Sequence, residues 1–435
     1  MTGRSLRERL EAAGQSWLGA HLQTLDGEAR TRLERQLSAL DLELVRRLTR
    51  AEGLAAGGLG APDPHPYVSA EDRAADAEAA ARGMDEFRGG RVAFALLAGG
   101  QASRLRWDGP KGSFPIGPAT GRSLFQIFVE RLRRCGRRYG PDPLFAVTTS
   151  VDTDAQIRTF FEEHERFGFP RARLRFSCQG TLPALDDEGR LLLAAPDRVF
   201  VNPDGHGGAV AALERDGTFE CWEREGVKTV VTFQVDNPLL PVADPDFVGR
   251  LVAGRADIAT KIVLKQNPAE KVGLVTLVEG RPRIVEYSEI PEAAAAALDA
   301  DGSLALRLGS IAVHAFRLGF LRGHVTEGLP LHRARKEIPT VDAQGNELRR
   351  LGLKHERFIF DLFPQARSVQ VIEVLREREF APVKNAEGPE SPATARAALE
   401  GEYRRWYAEA GVPAPDGTLE VSPLQAEGPE DLLHS

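Results

Sequence analysis

The run Leu96–Gly117, LLAGGQASRLRWDGPKGSFPIG, gathers residues suited to holding a polyphosphate. Gly99 and Gly100 carry no side chains, so main-chain N–H groups there can approach an anion closely. Arg104, Arg106 and Lys111 put three cations on the same loop, and Pro110 stiffens the backbone just ahead of the lysine. The two standard phosphate loops do not fit. A dinucleotide fingerprint needs G-x-G-x-x-G, where this chain has Gly99-Gly100-Gln101-Ala102-Ser103-Arg104; a P-loop needs Gly-Lys-Ser/Thr, and Lys111 is followed by Gly112. The bland alternative is an ordinary strand-to-loop turn on a solvated basic surface.

Other candidates are spread along the chain. Asp236-Asn237 stands at the end of the β-branched run Val230–Val235. Mg²⁺ needs few carboxylate oxygens when substrate phosphates and water complete its shell, so one aspartate beside a triphosphate suffices; a turn-forming Asp-Asn pair is the plain reading. Gln179 offers both a donor and an acceptor, the equipment for pairing with a planar polar edge, as any surface glutamine also does. Pro203-Asp204-Gly205-His206-Gly207-Gly208 reads as a tight turn feeding the apolar segment Ala209–Leu213, a helix start whose free N–H groups favour anions. The Glu286 carboxylate can accept from two vicinal hydroxyls at once.

These positions need a scaffold. From Arg91 onward strands and helices alternate: a strand over Arg91–Leu97, a helix over Ser123–Arg138, a strand over Leu144–Thr149, a helix over Asp154–Phe167 and a strand over Leu174–Cys178. That alternation predicts an α/β fold with a mainly parallel sheet covered on both faces. Every candidate above sits at a strand's carboxyl end or in the loop after it, where such sheets bind ligands. Leu33, Leu37, Leu40, Leu44 and Leu48 predict one amphipathic helix, with Leu6, Leu10, Trp17 and Leu22 suggesting another before it. Ala61–Pro66 has linker composition, with His65 as a loop residue. Ser69 and Asp72 then read as a capping box opening an alanine-rich helix closed by Gly89-Gly90. The expected organisation is a helical region over 1–88 clasping a catalytic domain over 89–370, followed by a small region over 371–435 whose tail, Gln425–Ser435, is expected to be disordered.

The motifs also carry a resemblance. L-A-G-G-Q-x-[ST]-R-L followed by P-K-G is similar to the signature loop of the UDP-sugar pyrophosphorylases, in particular their UDP-N-acetylhexosamine pyrophosphorylase branch. Gln179-Gly180-Thr181-Leu182-Pro183-Ala184 resembles Q-G-x-L-P-A, Val235-Asp236-Asn237 resembles V-D-N, Val272–Val275 resembles V-G-V-V, and Ile284–Glu289 resembles V-E-Y-S-E. Gly309–His314 parallels G-N-I-A-x-H, Gly352–Asp361 resembles G-I-K-x-E-x-F-V-F-D, and Glu379–Ala386 matches E-F-x-P-x-K-N-A. The likeness runs from about Ala93 to Ala398. It implies a Rossmann-like nucleotidyltransferase, a three-layer sandwich on a mainly parallel mixed sheet. The implied reaction joins UTP and a sugar 1-phosphate to give a UDP-sugar and pyrophosphate with Mg²⁺, the sugar phosphate most readily being N-acetylglucosamine 1-phosphate.

The resemblance also implies roles. Arg104 and Lys111 serve the triphosphate, Lys354 reaches the phosphates, and Asp236 holds the metal. Ala98, Gly99, Gly100, Gln179, Gly205 and His206 meet the nucleotide; Gly273, Glu286, Tyr287 and Ser310 meet the sugar. His314 reads instead as a satisfied core histidine. Four positions depart from the branch pattern. Ala102 and Arg106 replace glycines, and His206 and Ser310 replace the asparagines of P-D-G-N-G-G and G-N-I-A. The last two bear on the sugar, which leaves a glucose-specific or broad UDP-sugar enzyme as the alternative.

Bulk properties narrow the field further. The chain has 435 residues, 42% of them hydrophobic, and a net charge of −7. That describes a globular protein without the basic surface of a nucleic-acid binder. With no long apolar run and three widely spaced cysteines, Cys135, Cys178 and Cys221, a cytoplasmic enzyme without membrane or disulfide frame is expected. Lysine supplies eight of the 56 basic residues, so a lysine marks a place where a compact ammonium is wanted. A sugar-nucleotide sensor without turnover and a nicotinamide oxidoreductase are the rival classes; the four charged residues Arg104, Lys111, Asp236 and Lys354 speak against the first and the missing fingerprint against the second.

Overall fold

The computed structural model describes residues 5–50, 62–342 and 344–433. Two compact units emerge, neither continuous in sequence. One collects the described residues of Met1–Gly58 with Gln179–Gly208 and Leu329–Ile359; the other collects those of Leu59–Cys178, Ala209–Gly328 and Phe360–Ser435. The boundaries read from the sequence, at 88 and 370, do not coincide with these units, because long-range strand pairing and not chain order decides which segments pack together.

The larger unit is built on a ten-stranded sheet. Leu274–Val278, Leu308–Arg317, Thr229–Gln234, Val92–Leu97, Leu144–Thr149 and Leu174–Cys178 lie side by side in that order. The last four run parallel, and Leu308–Arg317 runs antiparallel to both Thr229–Gln234 and Ile258–Leu264. This is the expected α/β architecture with a mainly parallel sheet. Val92–Leu97 and Leu144–Thr149 are buried almost throughout, as their continuous apolar runs require of strands covered on both faces. Ser123 caps the helix Leu124–Tyr139 through its hydroxyl, and Phe128 from that helix meets Phe233 from the sheet at 5.1 Å.

Two glycines set a close helix crossing. A side chain at Gly83, on Ala77–Arg88, would strike the carbonyl of Pro245, and one at Gly249, on Pro245–Ala253, would strike that of Ala79. The alanine-rich helix expected after Ser69 is cut in two: Asp76 ends Ala70–Ala75, and its carboxylate accepts from Glu78 and Ala79 N–H to start the next. His65 is buried in this unit, with Nδ1 2.6 Å from the Pro66 carbonyl; Ala61, of the expected linker, lies outside the described residues. The C-terminal segment is packed where disorder was expected. Ala426 is buried, Glu427 meets Arg131 at 3.2 Å and Asp431 meets Arg134 at 2.6 Å. Of that segment, His434 and Ser435 lie outside the described residues.

The smaller unit packs four helices, Leu6–Ala12, Ser16–Leu22, Gly27–Ala39 and Leu42–Thr49, on strands from 179–208 and 329–359. The leucine repeat expected to form one helix forms two, because Leu40 turns extended and the Asp41 carboxylate caps the second through Leu44 N–H. Leu10, Leu33, Leu37 and Val45 bury against Leu182, Leu185 and Val199. Fully buried Gln15 donates to Gly189 C=O at 2.8 Å and accepts from Leu191 N–H at 2.9 Å, so its amide is satisfied.

Candidate active site

In the larger unit the candidate residues gather at one edge of the sheet, where Val92–Leu97, Leu144–Thr149 and Thr229–Gln234 present their carboxyl ends. The first strand releases the glycine loop. Ala98 is still held, its N–H bonded to Thr148 C=O, but the N–H groups of Gly99 and Gly100 have no acceptor among the described residues. A side chain at Gly100 would meet nothing within 4 Å, so open space lies there. Arg104 sits exposed on the short turn Ser103–Leu105 and makes no ion pair among the described residues. Arg106 adopts the left-handed conformation at φ 54°, the place where the related signature carries glycine.

Lys111 and Asp236 meet. The ammonium donates to Asp236 Oδ2 at 3.0 Å, and their side chains are 14% and 13% exposed. Neighbouring parallel strands bring them together, since Leu97 pairs with Gln234 and Val235 N–H bonds Leu97 C=O at 3.2 Å. Gly112 explains the glycine after the lysine: a side chain there would lie 2.2 Å from the Phe125 ring.

The expected sugar residues assemble in the same unit. Ser310 N–H bonds Gly273 C=O at 2.8 Å, and Glu286 Oε1 lies 3.8 Å from where a Gly273 side chain would begin. Tyr287 follows, 44% exposed, on the turn Tyr287–Glu289. Ser310 precedes the stretch of its strand that pairs His314 with Thr232, which places it toward the end of the sheet where Asp236 lies. Its hydroxyl accepts from Ala312 N–H at 3.3 Å, and Ala312 takes a left-handed turn at φ 56°. His314 is the satisfied core histidine expected, with Nδ1 2.9 Å from Thr260 Oγ1.

The smaller unit holds Gln179, Gly205, His206 and Lys354. Gln179 is buried, and the next residue, Gly180, accepts from Asp204 N–H at 3.0 Å. The Asp204–Gly208 turn docks on residues 355–359: Arg357 N–H bonds Asp204 C=O, Gly207 N–H bonds Arg357 C=O, and Ile359 N–H donates to His206 Nδ1 at 2.9 Å. Gly205 has φ 86°, and a side chain there would strike the Arg357 carbonyl at 2.4 Å. The His206 ring stacks on Phe358 with centroids 5.2 Å apart. Burial, helped by nearby His332, pushes its pKa down to about 4, so the ring is neutral near pH 7; with Nδ1 accepting, Nε2 carries the proton. Lys354 lies over the Phe200 ring at 4.9 Å, and burial followed by Lys336 depresses its pKa.

A network with no counterpart among the sequence candidates lies behind Asp236. Lys261, fully buried, sits 2.7 Å from Asp244 and 2.5 Å from Glu379; Arg73 meets Glu379 at 3.0 Å, Asp246 at 2.5 Å, and Asp244. The rarity of lysine was a usable signal for Lys261. No disulfide joins Cys135, Cys178 and Cys221, and no helix among the described residues is long and apolar enough to cross a membrane.

The pattern that defines the UTP–glucose-1-phosphate uridylyltransferase family matches residues 67–388. The chain belongs to that family. Membership brings the reaction class, nucleotidyl transfer. Among curated relatives, the UDP-N-acetylhexosamine pyrophosphorylase-like protein 1 of Homo sapiens is 38% identical, over 93% of this chain and 85% of its own. UDP-N-acetylglucosamine diphosphorylase 1 of Arabidopsis thaliana is 36% identical, over 98% and 90%. Among solved structures, the uridine diphosphate N-acetylglucosamine pyrophosphorylase of Trypanosoma brucei superposes with a TM-score of 0.84 at 27% identity, covering 100% of this chain and 95% of that one.

Proposed function

We propose that this enzyme makes UDP-N-acetylglucosamine and pyrophosphate from UTP and N-acetylglucosamine 1-phosphate, with Mg²⁺ bound at Asp236, in the cytoplasm. The observation that carries the reading is the Lys111–Asp236 pair at 3.0 Å beside the glycine loop. The sugar is taken from the names of the relatives, and thiols that form no disulfide suit a reducing compartment.

A cation fits beside Asp236, because an ammonium already stands there. Among the described residues no group of three or more His, Cys, Asp or Glu could hold a metal, so Asp236 would share the ion with substrate phosphates and water. When bound, Mg²⁺ neutralises phosphate charge and polarises the phosphoryl oxygens. A phosphate oxygen of the sugar 1-phosphate attacks the α-phosphorus in line; the new P–O bond forms as the α–β bridging bond breaks, and its electrons leave on pyrophosphate. Nucleophile and leaving group are both anionic, so the chain supplies no base and no covalent nucleophile. In the larger unit, Lys111, Arg104 and the Gly99–Gly100 amides offset charge on the triphosphate, and Gly273, Glu286, Tyr287 and Ser310 orient the sugar; the resemblance assigns the sugar phosphate to Lys354 and the nucleotide to Gln179 and His206.

Pyrophosphate release from UTP with the 1-phosphates of N-acetylglucosamine, N-acetylgalactosamine, glucose and galactose, side by side, tests the reading. Highest kcat/KM on N-acetylglucosamine 1-phosphate is expected. Preference for glucose 1-phosphate, which His206 and Ser310 in place of asparagines favour as the second reading, would replace the sugar; no release with any of the four would remove the enzyme.

A further inference from the structure

A strand end does not by itself hold a carboxylate still, and Asp236 is held from a part of the chain some 140 residues away. Val383 N–H donates to Asp236 C=O at 2.8 Å. Next door, Asn237 uses both ends of its amide: Nδ2 donates to Glu379 C=O at 2.6 Å, and Oδ1 accepts from Ala381 N–H at 3.0 Å. The residue is 4% exposed, so these bonds have no competition from bulk water. Glu379 is fixed in turn, one carboxylate oxygen on Lys261 Nζ at 2.5 Å and the other on Arg73 at 3.0 Å. From the opposite side, buried Arg131 donates to Pro238 C=O at 2.7 Å and Leu240 C=O at 2.5 Å.

We infer that Asn237 is a positioning residue for the reaction, clamping Asp236 to the Glu379–Val383 segment so that its carboxylate is preset for the metal. The inference rests on the reading of Asp236 as the metal carboxylate. It gives the sequence E-F-A-P-V at 379–383 a physical role. Glu379 anchors the segment in the charged network, and the main chain of Glu379, Ala381 and Val383 supplies the clamp. Asparagine suits the position because one side chain must donate and accept at once; serine has the chemistry without the span, and aspartate has the span without the donor. Groups that orient a metal ligand typically govern metal affinity by about 10- to 100-fold.

The test uses the full-length protein with Mn²⁺ as probe, free Mn²⁺ being followed by electron paramagnetic resonance with UTP present. Asn237→Ala is expected to raise the Mn²⁺ dissociation constant by about 10- to 100-fold. Amide exchange at Ala381 and Val383 should quicken, and kcat should fall while KM for the sugar 1-phosphate stays within about twofold, as expected when only the phosphate end of the site is loosened. Asn237→Ser gives the same readings if the alanine variant does not fold. A lower melting temperature with unchanged Mn²⁺ affinity would make Asn237 a packing residue and overturn the inference. Asp236→Asn separates the layers. If it loses Mn²⁺ while the Asn237 variants bind normally, the clamp alone is wrong; if it binds Mn²⁺ as the parent does, the metal reading fails with it.

Discussion

Lys111 and Asp236 satisfy each other's charge at the carboxyl ends of neighbouring strands, 3.0 Å apart and largely withdrawn from water. If the proposed roles hold, each occupies the place its partner's ligand would take, the ammonium that of a metal and the carboxylate that of a phosphate oxygen. On the proposed roles, substrate and metal entry would exchange one ion pair for two at a place already largely withdrawn from water.

Removing the ammonium should separate metal binding from turnover. Lys111→Met is expected to lower kcat by roughly two to four orders of magnitude, since transition-state charge loses its partner. The same variant should bind Mn²⁺ more tightly than the parent when UTP is absent, because the competing cation is gone. Asp236→Ala should lose turnover to a similar extent and lose the metal as well. Single-turnover kinetics and a Mn²⁺ titration without nucleotide check the pair.

Gly112 is a steric requirement. Gly112→Ala drives a methyl into the Phe125 ring, at a cost of about 1–3 kcal/mol for an overpacked core, and shifts Lys111 with it. A drop in kcat and in melting temperature is expected. Gly112→Ala combined with Phe125→Leu should recover part of both, which a double-mutant cycle measures.

The His206 pKa, pushed down to about 4 by burial and His332, makes a pH prediction. The folded protein binds fewer protons at this ring than the unfolded chain does. The ring's contribution to stability is therefore present above the unfolded value near 6.5 and is lost as pH falls toward 4. Melting temperature against pH should decline over that window and decline less in His206→Asn. The same variant restores the asparagine of the related pattern, so the four-sugar panel should shift toward N-acetyl substrates.

Glu427 runs the other way. Burial pushes it up to about 7 against the pull of Arg131. The folded state prefers the protonated acid, so stability is greatest below about pH 4.5 for this group and falls as pH rises through 7. Glu427→Gln should flatten that fall, read by calorimetry as a smaller change of melting temperature between pH 5 and pH 8.

Much of this was written locally in the sequence. Leu174–Cys178 is a strand with the bounds its pattern predicts, Ser123 caps its helix, and Lys111 and Asp236 meet where two neighbouring strands end. What sequence reading missed falls into two kinds. Asp41 and Asp76 break helices that hydrophobic spacing alone runs together, since a cap is a single hydrogen bond that periodicity does not register. The clamp on Asn237, the Arg73–Lys261 network and the two-unit partition join residues far apart in the chain, and their partners are chosen by tertiary packing. The tail was misread for the same reason: Glu427 and Asp431 resemble solvated acids until Arg131 and Arg134 stand opposite them.

The clamp has a consequence for biosynthesis. A ribosome delivers Asp236 and its strand long before it delivers Glu379, Ala381 and Val383, so a polypeptide ending short of Glu379 carries the proposed metal carboxylate without the hydrogen bonds that brace it. A product terminated short of Glu379 is therefore expected to show little turnover even where the Asp236 strand itself has formed.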